Sequence, residues 1–168
     1  MLGAAFSVAV VAAGIAVFKF KLHNMPIFAT AAELIQKKIA AFGVTSAAKY
    51  FLLCGFYSLF HSLLEEYYWR WFVFRQLRHS LALWPAAVLS AVGFTLHHVV
   101  VLSVFFKGAP LLVVLFSAAI VIGGTFWAWL YERSGSIFDP WLSHLLIDAG
   151  LFFGIGYELV RHTFVGAS

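Results

Sequence analysis

Long apolar runs dominate this sequence and constrain its fold more than any other feature. They lie at roughly residues 2–18, 50–74, 82–106, 110–130 and 137–157, and all but the short first one reach the about 20 apolar residues that a helix needs to cross a bilayer. The chain is 63% hydrophobic and only 11% charged, which excludes a soluble globular domain. The sequence therefore predicts an all-α integral membrane protein, a multi-helix transmembrane bundle of about five spans.

The segment 23–48 differs from these runs because it mixes charges with apolar residues. Glu33, Lys37 and Lys38 lie among Ala, Ile, Leu and Phe at helical spacing, a pattern typical of a helix in the membrane interface. The expected organisation has three parts. Residues 1–49 form an N-terminal anchor helix and the interfacial amphipathic helix, 50–160 form the membrane core, and 161–168 form a short tail.

The positive charge is distributed unequally between the two expected faces of the membrane. The chain has 11 Lys and Arg against 7 Asp and Glu, in short clusters between apolar runs, which indicates loops beside spans and not a nucleic-acid surface. One face carries Lys19, Lys21, Lys37, Lys38, Lys49, Lys107 and Arg161, and the other carries Arg75, Arg78 and Arg133. This excess predicts that the first face is cytoplasmic and that the N-terminus is outside.

Three of the apolar runs contain ionisable side chains, which are costly at membrane depth and usually face a cavity or a partner. The second run carries His61, Glu65, Glu66 and Arg70, the third carries Phe94, His97 and His98, and the fifth carries His144 and Asp148. At about 1.5 Å of rise per residue, these groups fall in one layer near the middle of the bilayer. We therefore expect three helices to present them to one buried pocket.

The spacing within each run predicts particular contacts. Glu66 and Arg70 are four residues apart and can form an ion pair, whereas Glu65 points about 100° away and is left without a cation. The same spacing lets Asp148 fix the ring of His144. Phe94 is likewise one turn from His98.

These groups could hydrolyse an amide bond without a serine or cysteine nucleophile. A glutamate and a histidine can hold a water molecule and remove its proton, while a second histidine donates to the oxyanion. A metal-dependent form of this hydrolysis stays open, since four side chains are possible metal ligands, namely Glu65, His98, His144 and Asp148. However, the sequence has no HExxH pair, and no cofactor is expected. A non-enzymatic membrane scaffold, or a proton-coupled carrier using the same buried groups, is the alternative, although repeated halves typical of carriers are not evident.

Other residues are expected to serve packing. His97 is one residue out of phase and is expected to bond a backbone carbonyl. His61 is expected to pack, although it lies four residues before Glu65 and could share the pocket of that residue. Packing against lipid or in the core, or a place in an interfacial belt, is the expected role of five tryptophans, namely Trp69, Trp71, Trp84, Trp127 and Trp129. Close helix contact is the expected role of several glycines, namely Gly123, Gly124, Gly150, Gly154 and Gly156.

Three segments, EEYYWR (65–70), FTLHH (94–98) and HLLID (144–148), resemble in order the EExxxR, FxxxH and Hxxx(N/D) motifs of the CPBP family, the CAAX protease and bacteriocin-processing intramembrane glutamic endopeptidases. The resemblance implies a catalytic membrane core and an intramembrane endopeptidase. It assigns activation of water to Glu65 and His98, and the oxyanion side to His144 and Asp148. The implied supporting residues are Glu66, Arg70 and Phe94.

The sequence departs from the family pattern in two ways. Asp148 stands where the prenyl proteases have Asn, and as a carboxylate it cannot donate a hydrogen bond, so it is expected to orient His144. The chain is also shorter than most members and is similar to the short myxosortase-like sorting members. That likeness implies a peptide or protein substrate with a membrane-proximal C-terminal segment, a lipid bilayer as the other partner, and the cytoplasmic (inner) membrane of a prokaryote as the location.

Overall fold

The structure, a computed structural model, describes residues 1–164, all of whose regular elements are helical. The end of the expected tail, 165–168, lies outside the described residues. The helices are α1 (Leu2–Leu22), α2 (Pro26–Ala41), α3 (Ala47–Arg78), α4 (Leu83–Phe105), α5 (Pro110–Ser134) and α6 (Phe138–Thr163). All except α2 are long and apolar enough to cross a membrane, which confirms the all-α bundle with five spans.

Four spans, α1, α3, α5 and α6, extend beyond the C-terminal ends that the sequence indicated. Helix α1 continues to Leu22 through a π-helical end, so it is not short, and α3 extends beyond both expected ends, 50 and 74. Ser46 caps α3 by accepting a hydrogen bond from the Lys49 backbone N–H at 3.4 Å. Helix α5 begins at Pro110, whose missing N–H needs no intrahelical partner there, and is capped after Ser134 by Gly135, whose φ of 65° favours glycine.

Helix α3 changes its winding around the motif residues. The α-helical turn Ser62–Glu66 lies between two π-helical segments, Tyr57–His61 and Tyr67–Phe74. The buried face of the helix repeats every four residues, at Tyr50, Cys54, Ser58, Ser62, Glu66, Arg70 and Phe74. A straight α-helix would rotate such a face by about 40° at each step, and the wider π turns reduce this rotation. The π segments therefore keep the polar face of α3 toward the bundle.

Helix α2 lies across one end of the bundle. Phe28, Ala31 and Ile39 are buried, while Glu33 and Lys37 are exposed. The helix contacts the ends of two spans: the ring of Phe28 lies 5.2 Å from that of Phe106, and Gln36 Nε2 donates to the Leu159 carbonyl at 2.9 Å. With 16 residues it is shorter than a spanning helix, as expected of an interfacial element.

Helices α3 to α6 enclose the middle of the bundle, and α1 packs along α6. The approach of α1 depends on Gly150, where an added Cβ would lie 2.5 Å from Val11 Cγ2. The buried apolar residues form three layers along the bundle. One contains Tyr50 and Val160 at the α2 end, one contains Phe74 and Ala128 at the opposite end, and the third, with Phe94, Trp127 and Ile147, lies between them. The ionisable groups lie beside this middle layer.

Candidate active site

A fully buried ion pair joins Glu66 and Arg70 on α3. Their side chains are 0% and 1% exposed, and Arg70 Nε lies 3.1 Å from Glu66 Oε2, in charge contact but without an aligned hydrogen bond. Arg70 Nη2 also donates to the Gly124 carbonyl at 3.3 Å. The guanidinium carbon lies 4.7 Å from the ring centroid of Phe94 and 5.2 Å from that of Trp127. The charge is thus held between π faces and a carboxylate, as a buried cation requires.

Glu66 also binds His144 of α6. His144 Nδ1 lies 2.8 Å from Glu66 Oε1, and Trp127 stacks on the imidazole with centroids 4.1 Å apart and an interplanar angle of 20°. A carboxylate beside a guanidinium accepts hydrogen bonds, so His144 Nδ1 donates to it. This contact fixes the ring and turns its other nitrogen, Nε2, toward Glu65.

Glu65 lies on the open side of the same turn of α3, among imidazoles. Its Oε1 lies 3.1 Å from His97 Nε2, and its Oε2 lies 3.5 Å from His61 Nδ1 and 3.7 Å from His144 Nε2. The Glu65 side chain is 11% exposed. The expectation that Glu65 points away from Arg70 agrees with these contacts, because its charge partners in the described chain are histidines.

His98 is held by the backbone of its own helix. Its Nδ1 lies 3.2 Å from the Phe94 carbonyl, and its ring packs edge-on to Phe94 with centroids 4.7 Å apart. Because a carbonyl oxygen only accepts, Nδ1 carries the proton and Nε2 is left with a lone pair. One oxygen of Glu65 and one ring nitrogen each of His97 and His98 all lie within 4.8 Å of one another. This is close enough for all three to contact the same small molecule or ion.

Asp148 lies near His144 but does not hold its ring through Nδ1. Asp148 Oδ1 is 3.6 Å from His144 Nε2, whereas Nδ1 is occupied by Glu66. The carboxylate that orients the imidazole by a hydrogen bond is therefore Glu66, from another helix. Asp148 lies instead beside Nε2, the nitrogen that also faces Glu65.

All the motif residues converge in this site, together with others that the sequence interpretation assigned to packing. His97 does not bond a backbone carbonyl as expected; His98 does, and His97 contacts Glu65. His61 likewise reaches Glu65. Trp127 packs in the core, one of its two expected places, and also forms a wall of the site. Its position four residues from Gly123, in a run without ionisable residues, gave no signal of this contact, which depends on how α5 packs on α6.

A chain of hydrogen bonds connects this wall to α1. Trp127 Nε1 donates to Ser143 Oγ at 3.0 Å, and Ser143 Oγ lies 2.9 Å from Ser7 Oγ. Ser7 Oγ also donates to the Gly3 carbonyl at 2.8 Å. The N-terminal span therefore supports the residue that stacks on His144.

Residues 47–150 match the family described as type II CAAX prenyl endopeptidase Rce1-like. The match covers more than half of the chain and includes all three motif segments. No curated protein and no solved structure matches the chain. With its spans, its motif order and this match, the chain belongs to the Rce1-like family of type II CAAX prenyl endopeptidases, within the CPBP group, and is an intramembrane endopeptidase.

Proposed function

We propose that the protein cleaves a peptide bond at membrane depth with a water molecule activated by Glu65 and His98. The observation that carries the proposal is the convergence of three helices on one carboxylate: Glu65 from α3 meets histidines from α4 and α6. Two hydrogen bonds of about 2.8 Å to one water place its partners roughly 4.6 Å apart. Glu65 and His98 atoms within 4.8 Å of each other suit such a bridge.

In the proposed reaction, Glu65 takes a proton from the water as its oxygen attacks the scissile carbonyl carbon. The lone pair of His98 Nε2 accepts the second water hydrogen and orients the nucleophile. The carbonyl π electrons move to oxygen and form an oxyanion. Collapse of this intermediate breaks the C–N bond, and the proton held by Glu65 passes to the leaving nitrogen. The products are a carboxylic acid and an amine, and no covalent enzyme intermediate forms.

His144 is placed to stabilise the oxyanion. Its Nδ1 is committed to Glu66, so its Nε2 can donate to the oxyanion when the ring carries both protons. Asp148 and Glu65 both lie within 3.7 Å of Nε2 and favour that charged form by Coulomb attraction. We therefore assign Asp148 to orientation and charge balance, and Glu66 with Arg70 and Phe94 to support of the site.

For the substrate we propose a membrane-anchored protein with a membrane-proximal C-terminal segment, of the kind removed by the myxosortase-like sorting members. The depth of Glu65 in α3, 13 residues before Arg78 or about 20 Å of helix, supports a scissile bond inside or beside the bilayer. The lipid bilayer is the expected second partner. The location proposed is the cytoplasmic (inner) membrane of a prokaryote, and the reaction as proposed uses no cofactor.

The decisive test compares processing in cells that carry wild type, Glu65→Gln or Glu33→Gln. Glu65→Gln preserves the shape of the side chain and removes the base, so we expect cleavage to fall by about 100-fold or more. Precursors that retain their C-terminal segments should accumulate in the membrane proteome of this variant alone. Glu33 is exposed on α2, so Glu33→Gln controls for loss of a carboxylate elsewhere.

Normal processing by Glu65→Gln, at wild-type abundance in the membrane, would contradict the proposal. The buried carboxylate would then be structural or part of a proton path, and the scaffold or carrier alternatives would replace hydrolysis by this site.

A further inference from the structure

More imidazoles surround Glu65 than the proposed reaction uses. The reaction assigns His98 to the water and His144 to the oxyanion, but His97 Nε2 makes the shortest contact with Glu65, at 3.1 Å. His97 lies outside the three motif positions. Together, Glu65, His97 and His98 offer one carboxylate oxygen and two ring nitrogens within 4.8 Å of one another.

This combination of donors selects among cations. Two imidazole nitrogens and one carboxylate oxygen suit a borderline metal such as Zn²⁺ and are a poor set for Mg²⁺ or Ca²⁺, which prefer oxygen. Zinc bonds to nitrogen and oxygen are about 2.0–2.2 Å long, so tetrahedral ligands lie roughly 3.4 Å apart. The His97–Glu65 contact already has about that length, and a modest rotation of the His98 ring would complete the set.

His98 is oriented as a metal-binding histidine usually is. A ligating imidazole commonly donates its other N–H to a carbonyl or carboxylate, which fixes the tautomer and the ring plane. His98 Nδ1 donates to the Phe94 carbonyl, leaving the lone pair of Nε2 for a ligand. At His97, a metal ion would replace the proton that its Nε2 shares with Glu65.

The three donors are accessible without repacking of the core. The His97 side chain is 45% exposed, and Glu65 lies on the same open side, away from the buried pair of Glu66 and Arg70. The proposed hydrolysis already requires water to reach Glu65. The same route would admit a hydrated ion.

We propose that Glu65, His97 and His98 form a Zn²⁺ site, and that zinc bound there displaces the nucleophilic water and reversibly inhibits the peptidase. The inhibition rests on the proposed role of Glu65 as the base, because coordination occupies the lone pairs that would accept the proton. The site itself rests only on the arrangement of the donors.

The experiment uses the full-length protein in detergent, stripped of metal with EDTA and then titrated with Zn²⁺ alone. Binding is measured by competition with a chromophoric chelator, and peptidase activity is normalised to that of each variant in EDTA. We expect one Zn²⁺ per chain and loss of activity over the same concentration range. His97→Ala should weaken both binding and inhibition by more than about tenfold, since even loss of an outer partner costs that much.

His61→Ala is the matched control. His61 is also a partly exposed histidine that contacts Glu65, at 3.5 Å, but it is not part of the donor set. Its removal should leave zinc binding and inhibition within a few-fold of wild type. Equal effects of the two substitutions would overturn the assignment of ligands.

Absence of stoichiometric zinc binding by wild type would overturn the inference without touching the proposed function. Activity that is lost in EDTA and restored by zinc would overturn both, because the proposed reaction uses no metal. Zinc binding that depends on His97, in a protein whose Glu65→Gln variant cleaves normally, would uphold the site and refute the proposed role of Glu65.

Discussion

Two adjacent carboxylates in this protein have opposite surroundings. Glu66 is completely buried between a guanidinium and an imidazole, whereas Glu65 is partly exposed and has histidines as its charge partners among residues 1–164. The first holds two helices together, because it joins Arg70 on α3 to His144 on α6. The second keeps part of its side chain, 11%, exposed. The two neighbouring glutamates therefore have different roles: Glu66 supports the fold, and Glu65 serves the proposed reaction.

Substitution of the two glutamates should separate these roles. Glu66→Gln leaves the Arg70 guanidinium without its carboxylate, and breaking a buried pair in this way costs about 3–5 kcal/mol. We expect a clear loss of thermal stability of the purified protein in detergent, together with loss of activity. Glu65→Gln should lose less stability, because Arg70 keeps Glu66 as its carboxylate partner and His144 keeps both Glu66 and Asp148. Equal melting temperatures for the two variants would contradict this division.

The sequence predicts some of these contacts and misses others for a geometric reason. The four-residue spacing of Glu66 and Arg70 suffices to predict their ion pair, because both lie on one helix. The bond from His144 to Glu66 joins residues 78 positions apart and depends on how α6 is rotated against α3. In the same way, helical phase alone does not decide that His97 contacts Glu65 while His98 turns to the Phe94 carbonyl.

Among the helices, α3 departs most clearly from the regular α-helical winding that a sequence pattern assumes. A regular α-helix has 3.6 residues per turn, so a face with a period of four moves progressively around it. The π-helical segments on both sides of Ser62–Glu66 compensate for this rotation. The run of buried small and polar residues every four positions, from Cys54 to Arg70, is visible in the sequence, but the winding that keeps it on one side is not.

The packing of α1 on α6 can be tested with two glycines one turn apart. A Cβ at Gly150 would lie 2.5 Å from Val11 Cγ2, while a Cβ at Gly154 would have Ile15 Cδ1 at 3.8 Å, an ordinary contact. Valine is stiff in a helix, so Gly150→Ala must push the helices apart. We expect Gly150→Ala to lower the melting temperature and peptidase activity, since α1 supports Trp127 through Ser7 and Ser143.

Gly154→Ala serves as the control for this prediction. It should be neutral or slightly stabilising, because alanine favours a helix over glycine by up to about 1 kcal/mol. If Gly150→Ala were as stable and active as Gly154→Ala, α1 would not need the close approach that the structure places there.

At the scale of the whole molecule, the site occupies the middle of a layered bundle. Apolar clusters lie on either side of it along the bundle, at the α2 end and near the turn between α3 and α4. The number of spans and the common depth of the motif residues were predictable, because both depend on hydropathy and on 1.5 Å of rise per residue. The exact helix ends were less predictable, since α1, α3, α5 and α6 continue beyond the apolar runs into residues that can reach the interface.

The orientation of this bundle in the membrane provides the last prediction. An odd number of spans puts the chain's first and last helix ends on opposite faces, and seven cations against three favour the α2 face as cytoplasmic.

Cysteines introduced at Glu33 on α2 and at Ser80 between α3 and α4 are separated by one span, and both positions are exposed. The native Cys54 is buried and should contribute little background. An impermeant maleimide should label Ser80→Cys in intact cells and Glu33→Cys only after the membrane is opened. The reverse pattern would invert the assigned faces, and labelling of both from one side would mean that α3 does not cross the bilayer.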